Sequence, residues 1–282
     1  MNNSKVFLNE KIAKKLFKNE KYGKILSARV ISDVIGADYN EVYDNIELSS
    51  EEIAFSAKTL NSTADAVYYY DIHYFNIELN FYKSDSKVKQ LASYTYQLYL
   101  GQLSTHKDYD KIKKIIQISI DSYDYFEHNE FIYRVSFMEE KYHERESDDI
   151  TKIHINLAYL NKLDYNNIVR SGNQLMKDLY FLTCNDNKKL NVVYEGDNLM
   201  KEIINKAKKI AGIMDLDLYM TDEELLKHDQ ERYYKKGIQE GMEKNKKEMV
   251  INLYNKKIPI DTIAECANLS IEEVQKIINK IE

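Results

Sequence analysis

Apolar residues recur at helical spacing in two parts of the N-terminal half of the chain. Residues 8 to 35 carry them at intervals of three or four, which predicts two helices separated near Gly23. The same spacing predicts one helix over residues 86 to 104. Between these helices, residues 64 to 80 have the pattern of two short strands joined by a tight turn. Short apolar or alternating runs predict further strands at residues 42 to 48, 53 to 55, 115 to 120, 131 to 138 and 152 to 160.

The pattern becomes helical after about residue 162. Thr221 and Glu224 have capping-box spacing, which predicts the start of a long polar helix that runs towards Lys256. Its narrow apolar stripe, in which Tyr234 and Ile238 are four residues apart, suits either a coiled-coil seam or a face docked on the body of the protein. We therefore expect self-association, a homo-oligomer formed through the C-terminal helices.

The order helix, strands, helix, strand predicts an α/β or α+β fold with a helical C-terminal extension. We expect three parts: a main domain over residues 1–215, a long polar helix over residues 216–249, and a small helix-turn-helix-like tail over residues 250–282. Residues 251 to 282 hold four lysines against five acids. This balance favours assembly or docking by the tail over reading of a DNA groove.

Composition excludes several classes of protein. No apolar run approaches the ~20 residues that span a bilayer, and no export signal is recognisable, so we expect a cytoplasmic protein without a membrane partner. Cys184 and Cys266 belong to no Cys-x-x-Cys pair, which argues against a disulfide framework and against a thiolate zinc site.

Charge is segregated along the chain. Residues 1 to 30 hold eight basic side chains against two acids, and residues 83 to 114 hold seven lysines against three aspartates. These basic segments flank the predicted hairpin in sequence, as a site for a phosphate polymer requires if they also flank it in space. The alternative is that the lysine-rich helix faces are simply solvated.

Two acids within the hairpin are the strongest candidates for chemistry. If the turn lies between Asp71 and Ile72, antiparallel partners sum to 143, and Asp65 lies opposite Glu78 on one face of the sheet. Directly opposed Cβ atoms are roughly 4.5–5.5 Å apart. Carboxylates held that close repel unless a metal ion, a proton or a nearby cation compensates their charge. Mg²⁺ with oxygen ligands is the natural compensation; two solvated surface acids are the alternative.

At the hairpin the sequence resembles the PD-(D/E)XK nuclease family transposases, also called recombination-promoting nucleases. The resemblance rests on Asn76-Ile77-Glu78-Leu79-Asn80 after a strand with an aspartate, and on four short features further along the chain. These are a helix with Tyr94 in its middle, the segment from Tyr109 to Lys114, the apolar strand 115 to 120, and a polar helix with Gly237 and Gly241. Two departures are Gln90, where the family tends to have arginine, and Asn156, where it usually has glutamate.

The resemblance implies a restriction-endonuclease-like mixed sheet flanked by helices, and Mg²⁺-dependent (or Mn²⁺-dependent) cleavage of DNA. Asp65, Glu78 and the carbonyl of Leu79 would then bind the metal ion. Asn80 stands where the wider superfamily often has a catalytic lysine, so a positive charge has to come from elsewhere, for example from Lys58. Further supporting or DNA-facing candidates are Lys83, Lys89, Tyr94, Gln97, Lys14 and Lys15.

Two functions from different classes remain open on the sequence. One is an endonuclease that promotes recombination or transposition-like mobility. The other is a catalytically degenerate nuclease fold that acts as a DNA-binding or assembly protein, with Asn80 and Gln90 as signs of lost turnover.

Overall fold

The hairpin is the centre of a six-stranded mixed sheet in the computed structural model, which describes residues 5–48, 65–103 and 109–279. The strands are β1 (Val6–Leu8), β2 (Glu47–Leu48), β3 (Ala66–Tyr70), β4 (His73–Asn80), β5 (Lys114–Asp121), β6 (Ile132–Ser136), β7 (Ile150–Asn156) and β8 (Tyr219–Thr221). The helices are α1 (Glu10–Phe17), α2 (Glu20–Ile35), α3 (Tyr39–Asn45), α4 (Asp85–Leu103), α5 (Leu157–Leu160), α6 (Tyr165–Arg170), α7 (Gln174–Leu179), α8 (Asn187–Val193), α9 (Asn198–Met214), α10 (Asp222–Asn255), α11 (Ile260–Ala267) and α12 (Ile271–Ile278).

The strand order of the sheet is β2-β3-β4-β5-β7-β6. Strands β4, β5 and β7 run parallel to one another, whereas β2, β3 and β6 pair antiparallel with their neighbours. Strands β1 and β8 form a separate antiparallel pair. The predicted fold class is therefore confirmed: a mixed α/β protein in which helices flank a mixed sheet and the C-terminal region is helical.

The hairpin has the predicted register. Ala66 pairs with Ile77 and Tyr70 with His73, so partners sum to 143, and the turn residue Asp71 has a positive φ of 54°. A left-handed conformation at a short turn is tolerated by Asp better than by most residues, because its side chain hydrogen-bonds locally. Continuing the register by one pair places Asp65 opposite Glu78.

The two faces of the sheet differ in chemistry. Phe75, Ile77 and Leu79 of β4 belong to the main apolar core, together with residues of α1 and α2. The other face is buried but polar; it carries Asn76, Glu78, Asn80, Gln117, Ser119, Asp121, His154 and Asn156. Helix α4 lies on this polar face, where its Thr95 hydroxyl donates a hydrogen bond to Gln117 Oε1 at 3.2 Å. A polar row along the middle of a sheet is unusual, because buried polar groups require partners.

The first two helices are separated at Lys18 and Asn19 rather than at the predicted Gly23. Asn19 is the N-cap of α2, and its side chain accepts a hydrogen bond from the backbone N–H of Tyr22. Gly23 has a different role, since a Cβ there would lie 2.0 Å from the carbonyl oxygen of Phe17. The glycine allows two backbones to approach closely and does not break the helix.

Two strand predictions are wrong in part. Most of the segment 42 to 48 is helix α3, capped by Asp38, and only the last two residues form β2. The segment 152 to 160 is strand only as far as Asn156, whose side chain then accepts a hydrogen bond from Tyr159 N–H and starts α5. The predicted strand at residues 53 to 55 lies outside the described residues.

The chain forms two compact units, Met1–Leu225 and Leu226–Glu282. The second has its own small core, which includes Val250, Ile263 and Val274. Residues 250 to 255 form the end of α10, which begins at the predicted Thr221–Glu224 capping box. The three-part division at residues 215 and 249 stays a prediction. Across the described ranges, no helix combines the length and apolarity needed to span a membrane.

Candidate functional site

Asp65 and Glu78 are buried side by side at the end of the hairpin. Their exposed fractions are 6% and 2%. Each carboxylate is tied to the other strand: Leu79 N–H donates to Asp65 Oδ2 at 3.0 Å, and Asp65 N–H makes a longer contact of 3.4 Å with Glu78 Oε1. The predicted pair is therefore present, and the alternative of two solvated surface acids is wrong.

The pair is electrostatically strained. Burial and, second to it, the negative charge of Asp65 raise the pKa of Glu78 to about 7. Near neutral pH the Glu78 carboxyl thus ionises fully only when further positive charge is close by. This is the behaviour expected of two carboxylates that share one site.

Lys14 of α1 supplies part of that positive charge. Its Nζ lies 3.6 Å from Asp65 Oδ2 and 3.0 Å from Glu10 Oε1. Burial alone lowers the pKa of Lys14, but the charges of Asp65 and Glu10 outweigh it and leave the pKa raised. Lys14 therefore carries its charge next to the acids, as its place in the basic N-terminal segment suggested.

Lys87 in the first turn of α4 supplies a second cation, and the sequence interpretation missed it. Its side chain is 8% exposed. Burial lowers the pKa of Lys87, and the nearby negative charge of Glu78 offsets only part of this effect. Position 87 comes one helical turn before Leu91, on the side of α4 that faces the sheet. Helical spacing from Leu91 and Leu98 was the signal that would have found it.

Asn80 is held by a hydrogen bond from its amide nitrogen. Asn80 Nδ2 donates to Asp121 Oδ1 at 2.8 Å, and Asp121 Oδ2 lies 2.8 Å from His154 Nδ1. Asn80 Oδ1 is buried and has no hydrogen-bond partner among the described residues. The residue at the position of the expected lysine thus presents an unused acceptor.

The other predicted lysines lie elsewhere. Lys83 forms an exposed ion pair with Glu127 at 2.9 Å, and both Lys89 and Lys15 are exposed on their helices. None of the three forms a hydrogen bond or ion pair with the acid pair in the described part of the chain. Lys58 lies outside the described residues.

The two α4 candidates make hydrogen bonds within their own helix. Tyr94 is buried, and its hydroxyl accepts a hydrogen bond from Gln90 Nε2 at 2.5 Å. Gln97 Nε2 donates to Ser93 Oγ at 3.0 Å, while Gln97 Oε1 is buried without a partner within the described ranges. The neutral side chain of Gln90 therefore holds the hydroxyl of Tyr94 in place. An arginine at position 90 would bring a positive charge to the same hydroxyl.

The donor set fits a magnesium ion that keeps several waters. Asn80 O accepts a hydrogen bond from Ser122 N–H on the β5 side, so the preceding carbonyl, that of Leu79, points to the β3 side of the strand, the side on which Leu79 N–H contacts Asp65. Two carboxylates and one carbonyl are hard oxygen donors of the kind that Mg²⁺ prefers. No group of three His, Cys, Asp or Glu side chains able to hold a metal is found in the described residues, so water and phosphate oxygens would have to complete the coordination.

Comparisons of the chain with protein-family models, with curated proteins and with solved structures give no match. The chemistry of this site is therefore inferred from its own residues.

Proposed function

We propose that the protein is a Mg²⁺-dependent endonuclease that hydrolyses phosphodiester bonds of DNA. The observation that carries the proposal is the buried, opposed pair Asp65 and Glu78, with Lys14 and Lys87 beside it. Two acids buried with two cations suit a ligand that carries both signs of charge, and a metal-bound phosphate is such a ligand.

Each residue then has a defined task. Asp65, Glu78 and the Leu79 carbonyl hold the ion, which when bound polarises the scissile phosphate and acidifies a water. Lys14 and Lys87 attract the phosphate and offset the charge that builds up on its oxygens. The water oxygen forms a bond to phosphorus while the bond to the leaving sugar oxygen breaks, and the proton that the water loses is matched by the proton that the leaving oxygen takes up.

DNA as the partner is supported by charge. Lys11, Lys15 and Lys18 are exposed on or beside α1, the helix that also places Lys14 at the acids. Such a row can contact phosphates on either side of the cleaved bond. We further propose that the protein works in the cytoplasm, as a homo-oligomer, and that its cleavage promotes recombination or transposition-like mobility.

A second candidate is a catalytically degenerate fold that binds DNA or assembles without cutting. The ion pair between Lys14 and Asp65 favours it, because a lysine already compensates one of the acids without a metal ion. In this case metal addition changes neither stability nor DNA binding.

A plasmid-nicking assay separates the two candidates. Supercoiled plasmid is incubated with the parent protein in Mg²⁺, Mn²⁺, Ca²⁺ or EDTA, and with Asp65→Asn and the matched exposed variant Glu140→Gln in Mg²⁺. The nuclease proposal expects the parent to nick the plasmid in Mg²⁺ or Mn²⁺ but not in Ca²⁺ or EDTA, Glu140→Gln to nick it in Mg²⁺, and Asp65→Asn to leave it intact. Equal nicking by the parent and Asp65→Asn, or none by the parent in any metal, overturns it.

A further inference from the structure

Resting on the proposed function, we propose that Asp121 and His154 are positioning residues that fix the side-chain amide of Asn80. In this orientation Asn80 Oδ1 accepts a hydrogen bond from the attacking water. The three side chains, His154, Asp121 and Asn80, are called the relay below.

The relay crosses the three parallel strands of the sheet. In the register, Asn80 lies beside Asp121, and His154 lies in the same row as Glu78, with Ser119 between them. Two hydrogen bonds of 2.8 Å connect its members. The relay therefore ends at Asn80, two positions after the proposed metal ligand Glu78 and on the same face of β4.

The carboxylate of Asp121 determines which way the Asn80 amide points. An ionised carboxylate only accepts hydrogen bonds, so it selects the NH₂ group of Asn80 and turns the oxygen away. That oxygen is the buried Oδ1 without a partner in the described part of the chain. A buried acceptor left unpaired is unfavourable, and a hydrogen bond from a water satisfies it.

His154 holds Asp121 in turn. Asp121 is 1% exposed, and each of its oxygens has one partner, Asn80 Nδ2 or His154 Nδ1. The histidine ring is fixed by aromatic contacts, with centroid distances of 4.0 Å to Tyr125 and 5.7 Å to Phe126. In its Nδ1–H tautomer, His154 donates this hydrogen bond to Asp121 Oδ2.

Asn76 and Gln117 form a second buried side-chain pair between β4 and β5, and this pair contains no carboxylate. Asn76 Nδ2 donates to Gln117 Oε1 at 2.7 Å, and both residues are as deeply buried as Asn80 and Asp121. Their amides hydrogen-bond across β4 and β5 in the same way, at a position further from the end of β4. Variants of this pair report the cost of losing a buried interstrand amide without touching the site.

Steady-state nicking kinetics of Asp121→Asn, His154→Gln and Asn76→Ala test the proposal. An asparagine at position 121 can present either end of its amide, so Asn80 is no longer fixed. We expect kcat of Asp121→Asn to fall about 10–100-fold, with KM for DNA and Mn²⁺ affinity within about twofold of the parent. We expect kcat of His154→Gln to fall by a smaller factor than that of Asp121→Asn. Asn76→Ala keeps the parental kcat.

Side-chain ¹⁵N spectra supply a readout apart from activity. The proposal expects His154 of the parent as the Nδ1–H tautomer at neutral pH, and an Asn80 NH₂ resonance that shifts in Asp121→Asn but not in Asn76→Ala. A kcat of Asp121→Asn within twofold of an active parent overturns the relay alone, as does an equal loss in Asn76→Ala. A parent that cuts no DNA overturns the proposed function as well, so the two failures are distinguishable.

Discussion

The ammonium group of Lys14 lies 3.6 Å from the carboxylate of Asp65, which joins the first helix of the chain to the acid pair of the central hairpin. The contact brings the basic N-terminal segment to the candidate site in space. It also means that a metal ion at Asp65 and Glu78 binds beside a cation, so lysine and metal ion compensate the same negative charge.

Lys14→Met is expected to destabilise the metal-free protein by about 1–2 kcal/mol, because Asp65 loses a partner while remaining buried. Mg²⁺ should then stabilise the variant more than the parent, since the ion replaces the missing charge. Chemical denaturation with and without Mg²⁺ measures both effects. Lys209→Met, at an exposed position of α9, is the control. An equal Mg²⁺ effect on Lys14→Met and on the parent would contradict the shared site.

Lys87→Met is expected to move the pH dependence of cleavage. The charge of Lys87 lowers the pKa of Glu78, so its removal raises that pKa further above its already elevated value of about 7. Glu78 must be ionised to bind a metal ion, and the rising limb of the pH–rate profile should therefore shift to higher pH. The profile in Mg²⁺ between about pH 6 and 9 measures this shift. If the rate falls equally at every pH and the rising limb of the profile stays in place, Lys87 acts in DNA binding alone and does not affect the ionisation of Glu78.

Asp33→Asn is expected to stabilise the protein at high pH only. Burial and the charge of Asp178 raise the pKa of Asp33 from 3.8 to about 7, although Arg29 opposes them, and its Oδ2 is buried without a partner in the described ranges. Between these values the folded state holds a proton that the unfolded chain has lost, so stability falls as pH rises from about 4 to 7.

We expect Asp33→Asn to gain about 1–3 kcal/mol over the parent at pH 8 and almost nothing at pH 3.5. Urea denaturation at the two pH values measures the difference. Asp44→Asn, at an exposed position, should change stability by less than about 0.5 kcal/mol at both. A gain for Asp33→Asn of the same size at both pH values would show that its carboxyl is not protonated in the folded state.

Self-association through the C-terminal helices is expected to depend on the stripe of α10. Ile238 and Met242 are 47% and 58% exposed, one turn apart. The double variant Ile238→Lys with Met242→Lys should lower the molar mass measured by light scattering after size-exclusion chromatography. Gln239→Lys, on a different face of the helix, should leave it unchanged. A parent that is already monomeric would contradict the predicted oligomer.

Short-range patterns predicted most of the fold. The register of the hairpin followed from placing the turn at Asp71, and the capping box of Thr221 located the start of α10, because these are local features of the sequence. The errors arose where the packing of one element against another, and not the local sequence, determines the structure. Gly23 was taken for a helix break, although its role is to let the backbone of α2 approach the carbonyl oxygen of Phe17 at the end of α1.

The candidate site was predictable in part for the same reason. Asp65 and Glu78 come from one hairpin, and their pairing depends only on its register. Lys87, Asp121 and His154 reach the polar face from a helix and two further strands, and their positions depend on strand order and on how α4 packs. Helical spacing indicates the buried side of α4 and hence Lys87, whereas the positions of Asp121 and His154 beside Asn80 depend on a strand order that local spacing does not give.

The single-turnover rate of plasmid nicking by Glu78→Gln in Mg²⁺ measures whether DNA hydrolysis takes place at the acid pair. The substitution keeps the size of the buried side chain and removes the charge that the metal ion requires. If the acid pair holds the metal ion, the rate is at least about 100-fold below that of the parent, and thermal stability in EDTA is retained or increased because the repulsion from Asp65 is gone. A rate equal to that of the parent would contradict it.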